Sequence, residues 1–503
     1  MRKSIIKVFA MLLVAGVAFV SCSKESSEIE SSSKGYKVRI PANKISSKAV
    51  AEGGVATFKT IENVYVCNTS KSNAIDGTVL HPIADAPSTS FDGILTGSYS
   101  EGDNLKILYN TNASGVADYS SQNGTIEGVV DAGLASNVHV TSIVGSTITT
   151  EVASIDNLQS IFKFNFKIAG TDYYLGKSVR FVRIISSQNQ LVSQHNSVTG
   201  VSTKGPVTIS RDEDLPEEHP CVYAALRFNS NPGDEIVFQV VTKDGKVYSG
   251  SKTAPSGGFS NGKFYTSTVT VNLYTFTVSS GGQKVCFSPG DLGVDNGVYS
   301  FTEPFTAWNQ DKTSMTEKTN SPSTSKRTWF IRSEVQDGQT VYGFDWRIQS
   351  LAEWKYLVGI NEGSKRTIDA GNVSLYYKVH INTTALGDRY WCYLLPPDET
   401  KASDIGEDLT SGIVTDYLKY IAKGFVLLMD TEHSYRLSSS ATASWTYKSR
   451  ADKHSGYYQV GYTSGSKTYI SFGSDGPVQN SGNNGYEYRI HTRYIHDVTV
   501  STP

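Results

Sequence analysis

The sequence predicts a mainly β protein: two tandem β-sandwich domains followed by an α+β domain. Gly (44), Tyr (29) and abundant Ser and Thr accompany few Met (4) and a charged fraction of only 19%, a composition typical of extracellular β proteins. Apolar residues before position 275 recur with period two rather than with a helical period. All six Trp lie after residue 300, which indicates that the last part of the chain is a different kind of domain.

Short strands separated by turns account for the first part of the chain. Phe162, Phe164 and Phe166 alternate with polar residues, which places them on one face of a strand. Asp244-Gly245 separates two apolar runs, and this pair favours a tight hairpin turn because such a turn needs positive φ. We predict one sandwich at 35–155 and a second at 156–274, with further strands at 55–67, 104–110 and 138–144.

Helical signals occur only in the last part, 275–503. Ser350 followed by Glu353 predicts a capping box that opens a helix. An apolar face at 413–422 predicts a second helix. Strands are expected at 424–429, 457–462, 468–472 and 486–490. Because large aromatic residues are mostly buried, Trp346 and Trp354 are expected in the core.

The N-terminus has the pattern of an export signal. Basic residues precede a short apolar run at 8–20, and Ser21 and Cys22 follow it, so that 19–22 has the pattern of a bacterial lipobox. The run is too short to be a comfortable permanent membrane span. We predict a lipoprotein signal peptide at 1–21, acylation of Cys22 and a polar tether at 22–34. Attachment to the outer membrane through this lipid would be stable, because it uses more than one acyl chain.

Composition excludes several classes of function. The formal net charge of −2 leaves no basic footprint for nucleic acid. Beyond Cys22 there are four scattered cysteines without metal-ligand spacing, which could form disulfide bridges or be buried thiols. The four cysteines are Cys67, Cys221, Cys286 and Cys392.

The first 275 residues resemble the fimbrillin (type V pilin) superfamily, which implies transthyretin-like sandwiches. The resemblance rests on the lipobox at 19–22, the tether, a first strand at 36–41, small residues around Lys48 at 46–54 and a strand at 61–66. In that family a protease that cuts after Arg removes the first strand, and a strand from the next subunit fills the groove, which is β-augmentation. The resemblance therefore implies maturation after Lys48, where the family has Arg, or after Arg39.

The last 230 residues are similar to a C-type-lectin-like domain of secreted and fimbrial proteins. The matching stretches are 285–292, 346–354, 393–398, 423–428, 456–458 and 486–491. Gln459 stands where that domain usually has Trp. Such a fold does not by itself imply sugar binding.

No motif for catalysis is present. The sequence lacks HExxH, GxSxG, P-loop and GxGxxG patterns. Formylglycine-generating relatives of the lectin-like domain need a late pair of redox-active cysteines, and Cys286 and Cys392 are not so placed. Calcium-lectin ligand runs are missing too, since Glu303-Pro304 is followed by Phe305. We therefore expect no enzymatic activity, cofactor or metal.

Aromatic side chains are the candidate ligand contacts. Tyr390, Trp391, Trp445 and Tyr447 follow polar, loop-like stretches. An aromatic face can stack on a sugar ring or pack at a protein interface, and burial in the core is the alternative for all four.

These observations predict a cell-surface fimbrial tip subunit. It would assemble with other fimbrial subunits by donor-strand insertion and adhere to a host or bacterial glycan or protein through its C-terminal domain. A bulky terminal domain favours the tip, because a shaft subunit uses its last strands to fill its neighbour. The alternatives are a membrane-retained fimbrial anchor, or a free-standing surface lipoprotein that binds glycan. A degenerate modifying enzyme is the third class.

Overall fold

The computed structural model is mainly β, as the sequence predicts. It describes residues 35–44, 57–211, 221–295, 298–302, 339–341, 344–360, 366–382, 389–429, 433–437, 445–449, 456–459, 467–473, 476–482, 487–489 and 493–498. Cys22, Lys48 and the tether lie outside these ranges.

Eight of the first ten described strands form one sheet. The ten strands are β1 (Tyr36–Lys44), β2 (Val64–Asn68), β3 (His81–Pro82), β4 (Ser88–Leu95), β5 (Asn104–Tyr109), β6 (Val116–Asp118), β7 (Ser121–Gln122), β8 (Gly133–Val144), β9 (Thr147–Thr150) and β10 (Ala153–Asn157). The order is β2-β5-β8-β10-β1-β4-β3, and β9 pairs with β1 and β8. The short strands β6 and β7 instead join the next sheet, so the chain before residue 155 contributes to both.

One apolar core fills the first sheet. Val66 and Ile107 come from one end of the strand order, while Ile40 and Phe91 come from the other, yet all four belong to one buried cluster. The sheet must therefore fold back on itself, with the apolar residues of both halves facing inward. This is the arrangement of a β-sandwich.

The second sheet follows the same principle. Its other strands are β11 (Ser160–Ile168), β12 (Val179–Ser186), β13 (Leu191–Asn196), β14 (Ser202–Lys204), β15 (Val207–Ser210), β16 (Val222–Phe228), β17 (Glu235–Thr242), β18 (Val247–Thr253) and β19 (Phe264–Leu273). The order is β14-β13-β16-β11-β19-β18-β17-β12-β15-β7, with β6 beside β13. Phe162, Phe164 and Phe166 are buried on one face, which confirms the predicted alternation. Gly245 has φ of 76° between β17 and β18, which confirms the predicted hairpin.

The C-terminal region contains smaller sheets. Its strands are β20 (Phe276–Thr277), β21 (Lys284–Phe287), β22 (Asp291–Asp295), β23 (Val298–Thr302), β24 (Gln339–Val341), β25 (Phe344–Ile348), β26 (Tyr377–Asn382), β27 (Arg389–Leu395), β28 (Ile413–Val414), β29 (Val426–Met429), β30 (His433–Leu437), β31 (Trp445–Ser449), β32 (Gly456–Gln459), β33 (Lys467–Gly473), β34 (Gly476–Gly482), β35 (Glu487–Arg489) and β36 (Tyr494–Val498). The helices are α1 (Leu351–Val358), α2 (Glu407–Ser411) and α3 (Leu418–Ala422), and short 3-10 turns lie at Gly176–Ser178, Asp369–Gly371 and Ala402–Asp404.

The predicted capping box is present. Ser350 accepts a hydrogen bond from the Glu353 amide at 3.2 Å, and the Ser350 amide donates to the Glu353 carboxylate at 2.7 Å. Trp346 and Trp354 are fully buried, as predicted. These contacts fix the start of α1 and pack it on the core.

The predicted helix at 413–422 is only half correct. Ile413–Val414 is a strand paired parallel to β26, and the helix occupies Leu418–Ala422 alone. Gly412, with φ of 75°, ends α2 immediately before this stretch. The predicted apolar face began at Ile413, but Ile413 is exposed and Val414 is the buried residue of the strand, so the apparent period crosses from a strand into a short helix.

The second sheet packs against the C-terminal region. Ile185 and Val237 are buried in a cluster with residues of the sheet of β26 to β29. Phe181 and Val241 are buried in another cluster that contains Trp346 and Tyr494. Strands β12 and β17 are thus buried on both faces over most of their length.

The four cysteines beyond Cys22 are buried free thiols. Of the two alternatives that the sequence leaves open, the structure has the reduced, buried one. Burial raises the pKa of Cys286 to about 12, so this thiol is poorly suited to react as a thiolate at neutral pH.

Candidate functional site: the first strand and its groove

Strand β1 lies in the interior of the first sheet. It pairs antiparallel with β4 along nearly its whole length, from Tyr36 opposite Leu95 to Asn43 opposite Ser88. On its other side it runs parallel to β9 and then to β10. Although it is the first described strand of the chain, it is therefore not an edge strand.

One face of β1 is part of the core. Val38, Ile40 and Ala42 are 4%, 0% and 1% exposed, whereas Lys37 and Asn43 are exposed. Burial of side chains such as Val and Ile contributes on the order of 1.5–3 kcal/mol each. The strand is nine residues long, three more than the sequence predicts, and the extension carries the inward pattern on to Lys44.

Pro41 occupies a position in β1 that tolerates the absence of an N–H. The pairing with β9 ends at Arg39, and the pairing with β10 begins at Ala42. Pro41 therefore falls between the two parallel partners. Proline is otherwise disfavoured inside a sheet, because it cannot donate to the ladder.

Arg39 lies on the solvent face of β1. Its Nε donates to Asp92 Oδ1 at 2.8 Å and its Nη2 to Asp92 Oδ2 at 2.6 Å. The Arg39 side chain is 67% exposed, but its backbone is paired to β4 and to β9. A protease needs an extended, unpaired segment, so cleavage at Arg39 requires the sheet to open first.

Lys44 ends β1 in a pocket that sequence reasoning did not identify. Its side chain is 0% exposed, forms an ion pair with Asp131 and donates to the Thr57 carbonyl at 3.2 Å. Its Nζ lies 5.1 Å from the Phe58 ring centre and 4.6 Å from that of Tyr109, which is the range of cation–π contacts. The signal in the sequence is the inward period of two, which reaches Lys44 after Val38, Ile40 and Ala42.

The Lys44 pocket contains more negative than positive charge. Glu62 lies beside it, and accepts hydrogen bonds from the Lys59 amide at 2.8 Å and from Asn110 at 3.3 Å. Burial and the charge of Asp131 raise the pKa of Glu62 to about 7, although Lys44 and Lys59 act in the opposite direction. Among the described residues, none donates to the second, buried carboxylate oxygen of Asp131.

An apolar cavity opens in the second sheet. Strands β18 and β19 are paired only at Tyr248–Leu273 and Ser249–Asn272 and then separate. The cavity has a volume of about 210 Å³, and its aromatic lining is Phe162, Phe164, Phe228, Phe238, Phe259 and Tyr265. The core of this sandwich is thus accessible where the two strands diverge.

The predicted ligand residues lie on two separate sheets. Tyr390 and Trp391 are in β27, opposite Ile381 and His380. Trp445 and Tyr447 are in β31, opposite Leu437 and Tyr435. The strands β27 and β31 belong to a four-stranded and a three-stranded sheet respectively. Ligand contact by these four residues stays a prediction.

Two properties of the described residues bear on anchoring and on metals. No helix among them has the length and hydropathy of a membrane span. In the same ranges, no group of three or more His, Cys, Asp or Glu side chains is arranged to hold a metal ion.

Comparison with known proteins gives structural neighbours only. No protein-family model and no curated protein matches the chain. A candidate cell adhesion protein from Bacteroides uniformis is 15% identical with a TM-score of 0.30, covering 49% of this chain and 94% of that one. A fimbrial protein from Bacteroides ovatus is 13% identical with a TM-score of 0.25, covering 52% and 58%. The major pilin protein of Streptococcus pyogenes is 9% identical with a TM-score of 0.15, covering 48% and 97%.

These neighbours are adhesion, fimbrial and pilin proteins. Their TM-scores of 0.30, 0.25 and 0.15 indicate a distant structural likeness.

Proposed function

We propose that this protein is a non-enzymatic fimbrial subunit of the bacterial surface, in which a donor strand from a neighbouring subunit replaces β1. The observation that carries the proposal is the interior position of β1 between β4 and the pair β9 and β10. An N-terminal strand in this position can leave the sheet without breaking any other connection of the chain, provided that the segment after Lys44 is cut.

Loss of β1 would leave a groove that binds another strand strongly. The backbone groups of β4, β9 and β10 that pair with β1 would lose their partners, and the buried side chains around Ile40 would meet water. Unpaired backbone groups in a buried slot are costly. Another extended strand would pair the free backbone groups through main-chain hydrogen bonds and would cover the apolar groove with its alternate side chains.

Lys48 is the proposed cleavage position. It follows β1 by four residues in the sequence, whereas Arg39 lies within a strand that is paired on both sides. A cut after Lys48 releases the whole of β1 together with the tether and the lipid on Cys22. Cleavage would thus couple detachment from the outer membrane to opening of the groove.

The C-terminal region is the proposed adhesive part of a tip subunit. It follows both sandwiches, and its described residues share buried clusters with β12 and β17, whereas none of them belongs to the cluster that contains β1. A host or bacterial glycan or protein is the proposed ligand. Tyr390, Trp391, Trp445 and Tyr447 are its proposed contacts.

A second candidate function follows from the same strand. In the uncut chain β1 fills its own groove completely, which is the arrangement expected of a subunit that does not accept a donor. The uncut lipoprotein would then be a membrane-retained anchor, or a free-standing surface protein that binds glycan.

Limited proteolysis separates the two candidates. The intact chain is treated with a trypsin-like protease, and the products are identified by mass spectrometry. Wild-type protein and R39Q are expected to be cut after Lys48, whereas K48Q should keep β1 covalently attached. Nicked wild-type protein should then exchange β1 for a labelled donor-strand peptide, and K48Q should not. Equal peptide uptake by nicked and intact protein would contradict donor-strand assembly.

A further inference from the structure

Replacement of β1 by a donor strand changes the charge of the Lys44 pocket. When β1 leaves, its ammonium group leaves too, and Asp131 and Glu62 remain. The ammonium is fully buried, and the Asp131 side chain is only 15% exposed. Removal of one partner of a buried ion pair is far more costly than removal of both, because an uncompensated charge stays behind.

We propose that this pocket selects donor strands that carry a lysine or arginine at the position of Lys44. The proposal rests on the assembly function proposed above and specifies its partner. The recognised pattern is an extended segment with apolar or small residues at alternate positions, as at Val38, Ile40 and Ala42, followed by a basic residue two positions later.

Three features of the pocket support a cation rather than an apolar group. The Asp131 carboxylate contacts the Lys44 ammonium directly. The Thr57 carbonyl is a further acceptor at 3.2 Å. The Phe58 and Tyr109 rings present their faces at 5.1 and 4.6 Å, where they stabilise a cation.

The charges around the pocket agree with this preference. Lys59 lies on the surface, 52% exposed and paired with Asp85 at 3.6 Å. The His81 ring contacts the Glu62 carbonyl oxygen at 3.2 Å. The pKa of Glu62 stays raised to about 7 even with Lys44 in place. Without a cation from the donor strand, the pKa of Glu62 would lose the lowering effect of Lys44, and Asp131 would be left without its ion-pair partner.

Competitive strand exchange tests the proposal. Full-length protein nicked after Lys48 retains β1 without a covalent bond, and nine-residue peptides compete for its place. Four peptides are compared by mass spectrometry of the released β1: the native sequence 36–44 and its K44R, K44M and K37M variants. Lys37 is the matched control because it is an exposed lysine on the same strand.

The peptides should fall into two groups. K37M should compete within about fivefold of the native peptide, since an exposed lysine contributes little. K44R should do the same, because arginine keeps the positive charge that pairs with Asp131. K44M should compete roughly 30- to 300-fold less well, as expected when one member of a buried pair is lost. In D131N protein the difference between the native and K44M peptides should shrink to less than about tenfold.

Two outcomes would contradict the proposal in distinguishable ways. If K44M competes as well as the native peptide, selection by the pocket is wrong and strand exchange stands. If no peptide, the native sequence included, displaces β1 from nicked protein, strand exchange itself is wrong and the selection falls with it.

Discussion

At the scale of single residues, charge burial around β1 gives the clearest consequences. Lys44 is a fully buried lysine, a rare situation that needs a paired carboxylate. Asp131 supplies that carboxylate. Glu62 is the second acid, and its pKa is raised to about 7, first by burial and then by the charge of Asp131, against the opposing effects of Lys44 and Lys59.

Glu62 should make the stability of the protein depend on pH. Its pKa is raised from the ordinary value of 4.5 to about 7 by burial and by Asp131. The folded protein therefore favours the protonated acid. The stability that the tighter proton binding of folded Glu62 contributes is fully present below pH 4.5 and is lost as the pH rises through 7.

The variant E62Q tests this pH dependence. Glutamine keeps the size of the side chain and one of its two acceptor oxygens without the charge, so the free energy of unfolding at pH 8 should rise by about 1–3 kcal/mol relative to wild type. At pH 4.5 the two proteins should be similar. Urea unfolding at both pH values measures the difference, with the exposed Glu127 variant E127Q as control. An equal pH dependence in wild type and E62Q would contradict the assignment.

At the scale of elements, α1 is held by a cap and an ion pair that share one residue. Glu353 caps the Ser350 amide and also accepts from Arg347 at 2.7 and 3.0 Å. Arg347 in turn contacts Asp497 of β36 at 2.6 Å. Burial alone would raise the pKa of Glu353, but the hydrogen bonds from Arg347 and Ser350 hold it below its ordinary value. The start of α1 is thus connected to the last described strand.

Removing the cap should destabilise the C-terminal region. S350A loses the acceptor for the Glu353 amide and should cost about 1 kcal/mol, while S350T should stay close to wild type. Because all six Trp lie after residue 300, Trp fluorescence during urea unfolding reports on this region. The same unfolding midpoint for S350A and wild type would show that the cap contributes nothing.

Strand β1 has an unusual sequence for an interior strand, but its packing is regular. It contains a proline, yet it is an interior strand, because the proline falls between two parallel partners. Its pairing to β4 is nevertheless continuous over eight residues. Such a strand can fill a groove well and still be replaceable, since all the other described strands follow it in the chain.

At the scale of the whole molecule, the contact between the second sheet and the C-terminal region determines how the parts behave. Ile185 and Val237 lie in one core with the sheet of β26 to β29. Phe181 and Val241 lie in another core with Trp346. A boundary near residue 274 in the sequence is therefore crossed by two buried apolar clusters in the fold.

A charge in this contact should couple the unfolding of both parts. V237D places an unpaired carboxylate in an apolar cluster and should cost more than about 3 kcal/mol. The loss should appear both in Trp fluorescence, which reports the C-terminal region, and in circular dichroism, which reports all the sheets. V201D is the control, because Val201 is 64% exposed. If V237D unfolds the sheets without changing the Trp transition, the two parts are energetically independent.

Local signals in the sequence predicted the local structure well. The alternation around Phe164, the Asp244-Gly245 turn and the Ser350 cap each depend on residues within one strand, turn or helix start. The stretch 413–422 was misread because Ile413 lies in a short strand and is exposed, whereas the helix that follows begins only at Leu418. Burial of Trp346 and Trp354 follows from side-chain size, without knowledge of the fold.

By itself, the sequence determined the mainly β class, the alternation around Phe164 and the capped start of α1, because these depend on composition and on patterns within one element. Only the tertiary structure decided that β1 lies between β4 and β10, that β6 and β7 join the second sheet and that Lys44 is buried against Asp131. Lys44 and Asp131 are 87 residues apart in the chain. No local pattern records such a pairing, since the contact exists only after strands from distant segments have aligned in register.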